Sequence, residues 1–381
     1  MRVLVDHSAA FNQHAGIGRY ARSIMPACAT AFPEAEFTVW WAPDGRGRPP
    51  FADAAIGAFP ASTQVQLREG PIFRRQMDRL LFRLRCPIPF QALAGRGDVA
   101  YSPDFTVPHL WGGPEVVTIH DLAFEITPEF APEALRRYLG AAVPRAAHRA
   151  AHVMTVSETT KRDVMERLNL PSERITVAAN AADSAFFAAE PLSAATKRLV
   201  GLPDDYLLIV GTIEPRKNHL TLFRALEAAG SRIDLPLVVV GRVGWSANPI
   251  LAAARPLQAA GRVILLDYVE ERLLPGIYAG AAALVYPSWY EGFGLPIVEA
   301  LAVGVPVVAS DVPAHREVGG GEPVWCEPGD VESIAAAIER SLAQPGRRSE
   351  EGRRRTTWAR TFDWSTSGQR LATTLRSLSS P

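Results

Sequence analysis

The sequence has little cysteine, no excess of charge of either sign and no apolar run long enough to cross a bilayer, and each deficit removes a class of protein. Its three cysteines, Cys28, Cys86 and Cys326, stand far apart and form neither a CxxC pair nor an even set. That argues against a disulfide framework or a cysteine-based zinc site and suits a reducing compartment. Forty basic and forty acidic side chains cancel, so no global field draws the chain to nucleic acid or pulls it as a whole onto an anionic membrane. The opening Met1-Arg2-Val3-Leu4-Val5-Asp6 is a short apolar run closed by a charge, which predicts a first strand and not a signal-peptide core. Without a spanning run, a cytoplasmic protein is expected. No short-period repeat or low-complexity block is present, and 381 residues are too many for one ordinary core, so two domains are expected.

What is present is alternation. Short β-branched apolar runs recur between longer stretches rich in Ala, Leu and Arg, the pattern of a parallel sheet covered by helices. The first half predicts strands at Arg2 to Val5, Phe37 to Trp41, Val99 to Ser102, Glu115 to Ile119, His152 to Val156 and Ile175 to Ala178. The second predicts them at Leu207 to Val210, Leu237 to Val240, Val263 to Leu266, Ala283 to Tyr286, Val305 to Ala309 and Pro323 to Cys326. The stretch from Asp183 to Asp204, rich in Ala, Ser and Pro, is expected to be the linker. The domains are placed at 1–185 and 186–362, with 363–381 as a final segment that is a candidate to cross back onto the first domain.

Chemistry concentrates in two places. In Tyr286-Pro287-Ser288-Trp289-Tyr290-Glu291-Gly292-Phe293-Gly294-Leu295-Pro296, a strand ends, a glycine turn follows and a helix starts near a proline, which suits the first helical position. The amides of Gly292, Phe293, Gly294 and Leu295, with the helix dipole behind them, suit a phosphate. Glu291 and Glu299 bracket this site, and carboxylates fit sugar diols better than phosphates. As an isolated pair they would be a solvated loop residue and a surface helix residue. Gly211-Thr212-Ile213-Glu214-Pro215-Arg216-Lys217-Asn218 follows another strand. Positive charge at a helix start is unfavourable unless an anion compensates it, so Arg216 and Lys217 predict an anionic ligand, a leaving diphosphate.

The pairing of GTIEPRKN with EGFGLPIVE resembles the retaining glycosyltransferases of family 4. The resemblance extends to His120-Asp121-Leu122-Ala123-Phe124, Val156-Ser157-Glu158, Gly241-Arg242-Val243-Gly244-Trp245, Asp267-Tyr268-Val269 and Ser310-Asp311-Val312-Pro313. It implies an α/β protein of the GT-B fold, two Rossmann-like domains with parallel sheets facing across a cleft, the first on the acceptor side and the second binding the nucleotide-sugar. By the same resemblance Arg216 and Lys217 contact the donor diphosphate, Glu299 holds the ribose, Glu291 faces the donor hexose and His120 reaches the transferred sugar. Arg242, Tyr268 and Val269 lie in the turns expected to select the base.

Weaker signals surround this set. His14-Ala15-Gly16-Ile17-Gly18-Arg19-Tyr20-Ala21 matches a dinucleotide fingerprint, but a long polar insertion separates it from the first strand, whereas a true fingerprint follows its strand at once. By resemblance Gly16 and Gly18 approach the donor diphosphate. His148 and His152 share the spacing of a helix turn, yet no third ligand stands near, and no DxD pair is present to bridge a diphosphate, so no metal and no cofactor are expected. The basic, amphipathic segment 73–85 suits a peripheral contact with the inner membrane surface and equally a surface helix packed on its own domain.

The resemblance therefore implies a retaining, metal-independent hexosyltransferase. Its expected donor is a nucleotide-sugar, mannose-type and GDP-linked, and its acceptor a saccharide or a lipid-linked saccharide in surface-polysaccharide assembly. Two other readings stay open at this point: an NAD-dependent oxidoreductase using the Gly16/Gly18 loop, and a nucleotide-sugar-binding protein without turnover.

Overall fold

The computed structural model describes residues 1–14, 16–44, 48–71, 73–77, 79–80, 86 and 88–378. The chain divides into two units, one of residues 1–126, 133–180 and 363–381 and the other of residues 127–132 and 181–362.

Among the described residues the first unit holds seven strands: β1 (Arg2–Asp6), β2 (Glu36–Trp41), β3 (Gln64–Glu69), β4 (Val99–Ser102), β5 (Glu115–Ile119), β6 (His152–Thr155) and β7 (Ile175–Val177). They form one sheet in the order β3-β2-β1-β4-β5-β6-β7, and every pairing is parallel. Helices must cover both faces of such a sheet, so the central strands are buried; β4 and β5 are buried at every residue, including the polar Ser102, Glu115 and Thr118. The final helix, Trp364–Ser377, lies on the helix Gly16–Ala31 and on β7. Gly368 permits that approach, because a Cβ there would stand 2.4 Å from the Ala27 carbonyl carbon.

The second unit holds β8 (Leu207–Val210), β9 (Leu237–Val240), β10 (Val263–Leu266), β11 (Ala283–Tyr286), β12 (Val307–Ser310) and β13 (Val324–Cys326). Their order is β10-β9-β8-β11-β12-β13, again all parallel. In each sheet the strand order reverses beside the first strand, between β1 and β4 and between β8 and β11. Ligands of open α/β sheets bind outside the carboxyl ends at such a reversal.

The structure corrects four expectations. β3 was not predicted: QVQLRE is exposed over most of its length at the sheet edge, and an edge strand with polar faces has no apolar run to betray it. The supposed polar insertion after β1 is the helix Ser8–Asn12, with Ser8 to Phe11 buried. The expected linker contains two short helices, Ser184–Phe187 and Ala194–Val200. His148 lies in the last turn of the helix Glu133–Arg149 while His152 opens β6 and bonds Thr176 Oγ1 at 2.9 Å, so the two share no helix face. Much of the amphipathic segment 73–85 lies outside the described residues. Among the described residues no helix is long and apolar enough to cross a membrane.

Candidate active site

Both loops marked by the sequence leave the carboxyl edge of the second sheet from neighbouring strands, β8 and β11. After β8 the chain passes through Gly211, at φ 149°, and forms a tight turn at Pro215–Lys217 closed by Asn218 at φ 61°. Asparagine tolerates that left-handed conformation. Its amide donates to Pro287 O at 3.0 Å and Pro328 O at 2.7 Å, which ties the turn to its neighbours. The Trp289 amide donates to Arg216 O at 2.9 Å, and Arg216 Nη1 donates to Tyr290 O at 2.8 Å.

Four charged side chains meet here. Arg216 lies 2.7 Å from Glu291 Oε2 and 2.7 Å from Glu214 Oε1. Lys217 Nζ is 2.6 Å from Glu291 Oε1 and donates to the Tyr286 hydroxyl at 2.6 Å, while that hydroxyl donates to Glu291 Oε1 at 3.1 Å. Lys217, Glu214 and Glu291 are all buried. The anion inferred from two bare cations is thus supplied by the protein itself, since Glu291 and Glu214 balance Arg216 and Lys217. Nor is Glu291 a solvated loop residue or an idle carboxylate waiting for a hexose. Oε1 already accepts from two donors and Oε2 pairs with Arg216 at 2.7 Å, so one acceptor position, at Oε2, is left for a further donor.

Burial alone would raise the Glu291 pKa, but the charges of Arg216 and Lys217 outweigh it and hold the carboxyl well below the usual range. Burial raises that of Glu214 and lowers that of Lys217, with Glu291 acting against the latter. It also pushes the Tyr286 phenol far up, so the hydroxyl stays protonated and able to donate.

Gly294, at φ 110°, precedes the helix Leu295–Ala302. A Cβ at this position would be strained by the backbone and would meet His315 Cδ2 at 3.2 Å. Phe293 and Leu295 are buried, and the Phe293 ring packs edge to face on Phe362 at 5.6 Å. With their side chains turned inward, they can offer a ligand only main-chain amides. Glu299, in the same helix, is 0% exposed, so it is no surface residue. A carboxylate is buried only at a cost that partners or a ligand must offset.

The sequence reading missed the layer beneath. His315, fully buried, places Nδ1 3.0 Å from Ser310 Oγ and 3.2 Å from Ser310 O. Ser310 Oγ donates to Ser288 O at 2.5 Å, so both neighbours of Nδ1 present lone pairs and Nδ1 carries the hydrogen. Burial lowers the His315 pKa to about 4. Tyr286, whose ring lies 5.3 Å from that of His315, reads in the sequence only as the end of a strand. Its place just before the glycine turn was the available signal.

Along the same edge, the Arg242 guanidinium stands 5.3 Å over the Tyr268 ring, beyond β9 and β10. Both residues are exposed and Val269 is half-buried. The Ile213 amide bonds Arg242 O at 2.9 Å and the Gly244 amide bonds Ile213 O at 3.0 Å, so these turns are stitched to the Arg216 loop.

In the first unit, His120 follows β5 and is buried. Its Nε2 lies 2.8 Å from Pro103 O. A carbonyl only accepts, so Nε2 carries the hydrogen and Nδ1 is left with a lone pair. Burial holds the imidazole pKa below its ordinary value, opposed by the Pro103 bond, Asp104 and Asp121. Gly16 opens the helix Gly16–Ala31, and a Cβ on Gly18 would stand 2.2 Å from Gln13 O, so only glycine fits there. Because the helix Ser8–Asn12 intervenes, this loop is not the strand-turn-helix cradle of a dinucleotide site. Among the described residues no three His, Cys, Asp or Glu side chains gather as metal ligands would.

Two family models match the chain: Glycosyltransferase Family 4 over residues 15–186 and Glycosyl transferases group 1 over residues 204–344. An O-antigen chain mannosyltransferase B of Escherichia coli is 32% identical over 270 residues, 70% of this chain and 71% of that protein. The O-antigen chain mannosyltransferase RfbU of Salmonella typhimurium is 29% identical over 59% of this chain and 60% of its own. Among solved structures, a sucrose-phosphate synthase from Thermosynechococcus elongatus superposes with a TM-score of 0.75 at 19% identity, over 99% of this chain and 98% of that one. HepE of Anabaena, in complex with UDP and glucose, does so at 0.69 and 19%, over 99% and 100%.

Proposed function

Since the chain belongs to the family 4, group 1 glycosyltransferases of the GT-B fold, we propose that it moves a mannose-type hexose from a GDP-sugar, with retention and without a metal. The acceptor proposed is a saccharide or lipid-linked saccharide in surface-polysaccharide assembly. The relatives named as O-antigen mannosyltransferases support the sugar and the setting. The observation that carries the mechanism is that Arg216 and Lys217 share one edge of the sheet with the turn Glu291 to Gly294, bonded to it through Trp289, Tyr290 and Glu291.

Glycosyl transfer passes through an oxocarbenium-like state while negative charge collects on the departing diphosphate. Two preorganised cations beside the amides of a helix start stabilise that charge without reorganising, a kind of contribution that often dominates an enzymatic rate. Glu291 holds the cations in place before the donor arrives, and keeps one acceptor position for a hydroxyl of the sugar. Glu299 takes the ribose diol, and Arg242 with Tyr268 borders the base. His120 offers its Nδ1 lone pair to a hydroxyl of the sugar being transferred. Arg216 and Lys217 supply the neutralising charge, so the proposed transfer proceeds in chelator.

The test is to incubate the full chain with GDP-mannose, UDP-glucose or NAD in EDTA, measure melting temperature, and follow nucleotide release with a mannose-terminated acceptor. GDP-mannose should stabilise the protein and release GDP only when acceptor is present, and the product linkage should keep the donor's α configuration. Stabilisation by UDP-glucose alone would overturn the donor. Silence in EDTA restored by Mg²⁺ would overturn metal independence, and a β product would overturn retention.

A further inference from the structure

The imidazole of His120 is fixed by more than its bond to Pro103. Tyr20, from the helix Gly16–Ala31, meets it edge to face with ring centroids 4.9 Å apart and planes at 89°, and Phe105 flanks it at 5.6 Å. Tyr20 is 1% exposed. Its hydroxyl lies 3.5 Å from the Tyr101 hydroxyl and 3.4 Å from Thr118 Oγ1, which are themselves 2.9 Å apart. Three neutral hydroxyls from one helix and two strands therefore gather at the Tyr20 phenol end, while its ring packs on His120.

Behind Tyr20 stands Trp364, its ring 5.9 Å away, the first residue of the final helix. That helix is bolted down along its length. Asp363 caps it by accepting from the Thr366 amide at 3.0 Å. Ser367 Oγ donates to Ala179 O at 2.7 Å, Arg370 to Val177 O at 2.8 Å and Arg376 to Ala31 O at 2.8 Å. The Trp364 Nε1 hydrogen is buried with no acceptor among the described residues. Leaving a buried donor unmet is unfavourable, so packing of the ring, and not hydrogen bonding, is what places the indole here.

We propose that Tyr20 and Trp364 are positioning residues for His120: the last helix of the chain, through these two rings, holds the imidazole in one plane and keeps water from it, so that it presents an unprotonated Nδ1. This rests on the role of His120 in the proposed transfer. Asp104, beyond β4, and Asp121, beside His120, favour its protonation, and burial opposes them. Tyr20 faces the ring from its helix as a neutral phenol, its own titration pushed up by burial. Opening the ring stack removes part of the burial and leaves the two carboxylates, so the imidazole pKa rises toward or past the ordinary value of about 6.5. Activity that needs the neutral ring then fails at a higher pH than in the native enzyme.

The experiment compares Trp364→Ala, Tyr20→Leu and Tyr20→Phe with the native chain. It follows the pH dependence of kcat and, separately, the His120 ring signals by NMR in the absence of substrate. Trp364→Ala and Tyr20→Leu should move the acid limb upward and lower kcat by about tenfold to a hundredfold, the scale of losing reacting-group alignment, with the donor KM within about twofold. Tyr20→Phe, which keeps the ring, should leave the acid limb in place. A lower kcat with an unmoved limb and unmoved His120 signals would overturn the proposal, because loss of fold alone does not spare the titration. His120→Gln separates the two claims: native activity in that variant would refute the catalytic role of His120, while a shifted His120 pKa in Trp364→Ala would still support the positioning.

Discussion

The two sheets share one strand order and reverse it at the same place, yet their carboxyl edges differ in kind. At the β8/β11 edge the side chains are charged and interlocked: Arg216, Lys217, Glu214 and Glu291 close a network within 2.7 Å at each ion pair. In the first unit the His120 ring is packed by neutral hydroxyls and rings, those of Tyr20, Tyr101, Thr118 and Phe105, with the carboxyls of Asp104 and Asp121 near it but, among the described residues, no cation paired to it. The same architecture therefore carries two chemistries. Buried charge that is balanced inside the protein can be re-paired with an incoming diphosphate. At the first edge the imidazole is held by rings and hydroxyls with two carboxyls nearby, an arrangement that suits hydrogen bonding to hydroxyl groups.

Three experiments sharpen or break this contrast. The largest effect is expected from Lys217→Ala, which removes one of the two charges proposed to meet the leaving group. kcat should fall about 10²- to 10³-fold, in line with losing one electrostatic donor from a preorganised site. Steady-state kinetics on a variant with a native melting temperature checks it, and a loss of under about threefold would mean that the charged edge is structural.

Next comes acid stability. His219 and His315 are fully buried in the second unit, and burial lowers each pKa to about 4, with the charge of Lys217 adding to the effect at His219. Between the unfolded value near 6.5 and about 4 the unfolded chain binds more protons at these positions, so stability rises with pH across that window and falls on acidification. The slope is at most about 1.4 kcal/mol per pH unit for each histidine. Chemical denaturation at several pH values should show His315→Gln with a shallower dependence than the native chain. An unchanged slope would mean that His315 is already accessible to protons in the folded state.

The smallest effect is a paired one. Tyr286→Phe removes a hydroxyl that bonds Lys217 and Glu291, whereas Tyr20→Phe removes one at 3.4 to 3.5 Å from neutral partners. Hydrogen bonds to charged groups contribute more than neutral ones, about 1.5–3 against about 1 kcal/mol. Tyr286→Phe should thus cost more stability in urea denaturation and raise the donor KM as well. Equal costs would erase the distinction between the two edges.

How much of this was legible depended on whether the signal was local. β8, β9, β10 and β11 carry short continuous apolar runs and stand where the pattern put them, because a strand covered on both faces must be apolar throughout. β3 escaped notice since an exposed edge strand needs no such run. Ser8–Asn12 seemed polar because Ser8 and Asn12 flank a buried Ala-Ala-Phe. In the site, Arg216, Lys217, Glu291 and Glu299 were visible as letters in a motif. The partners of Glu291 were not: they lie 74 residues away in the chain for Lys217, and the motif by itself had suggested that the cations lacked an anion. His315 and Ser310 carried no motif of their own, and their value arises only from the lone pairs facing Nδ1.

By itself the sequence determined the α/β class, the family and the identity of the charged and glycine positions, because hydrophobic period, turn chemistry and motif spacing are local properties of the chain. Only the tertiary structure decided which charges neutralise one another, which nitrogen of His120 and of His315 holds the hydrogen, and that the last helix reaches Tyr20. Those outcomes depend on burial and on distances of a few ångströms between residues far apart in the chain, and no local pattern encodes either.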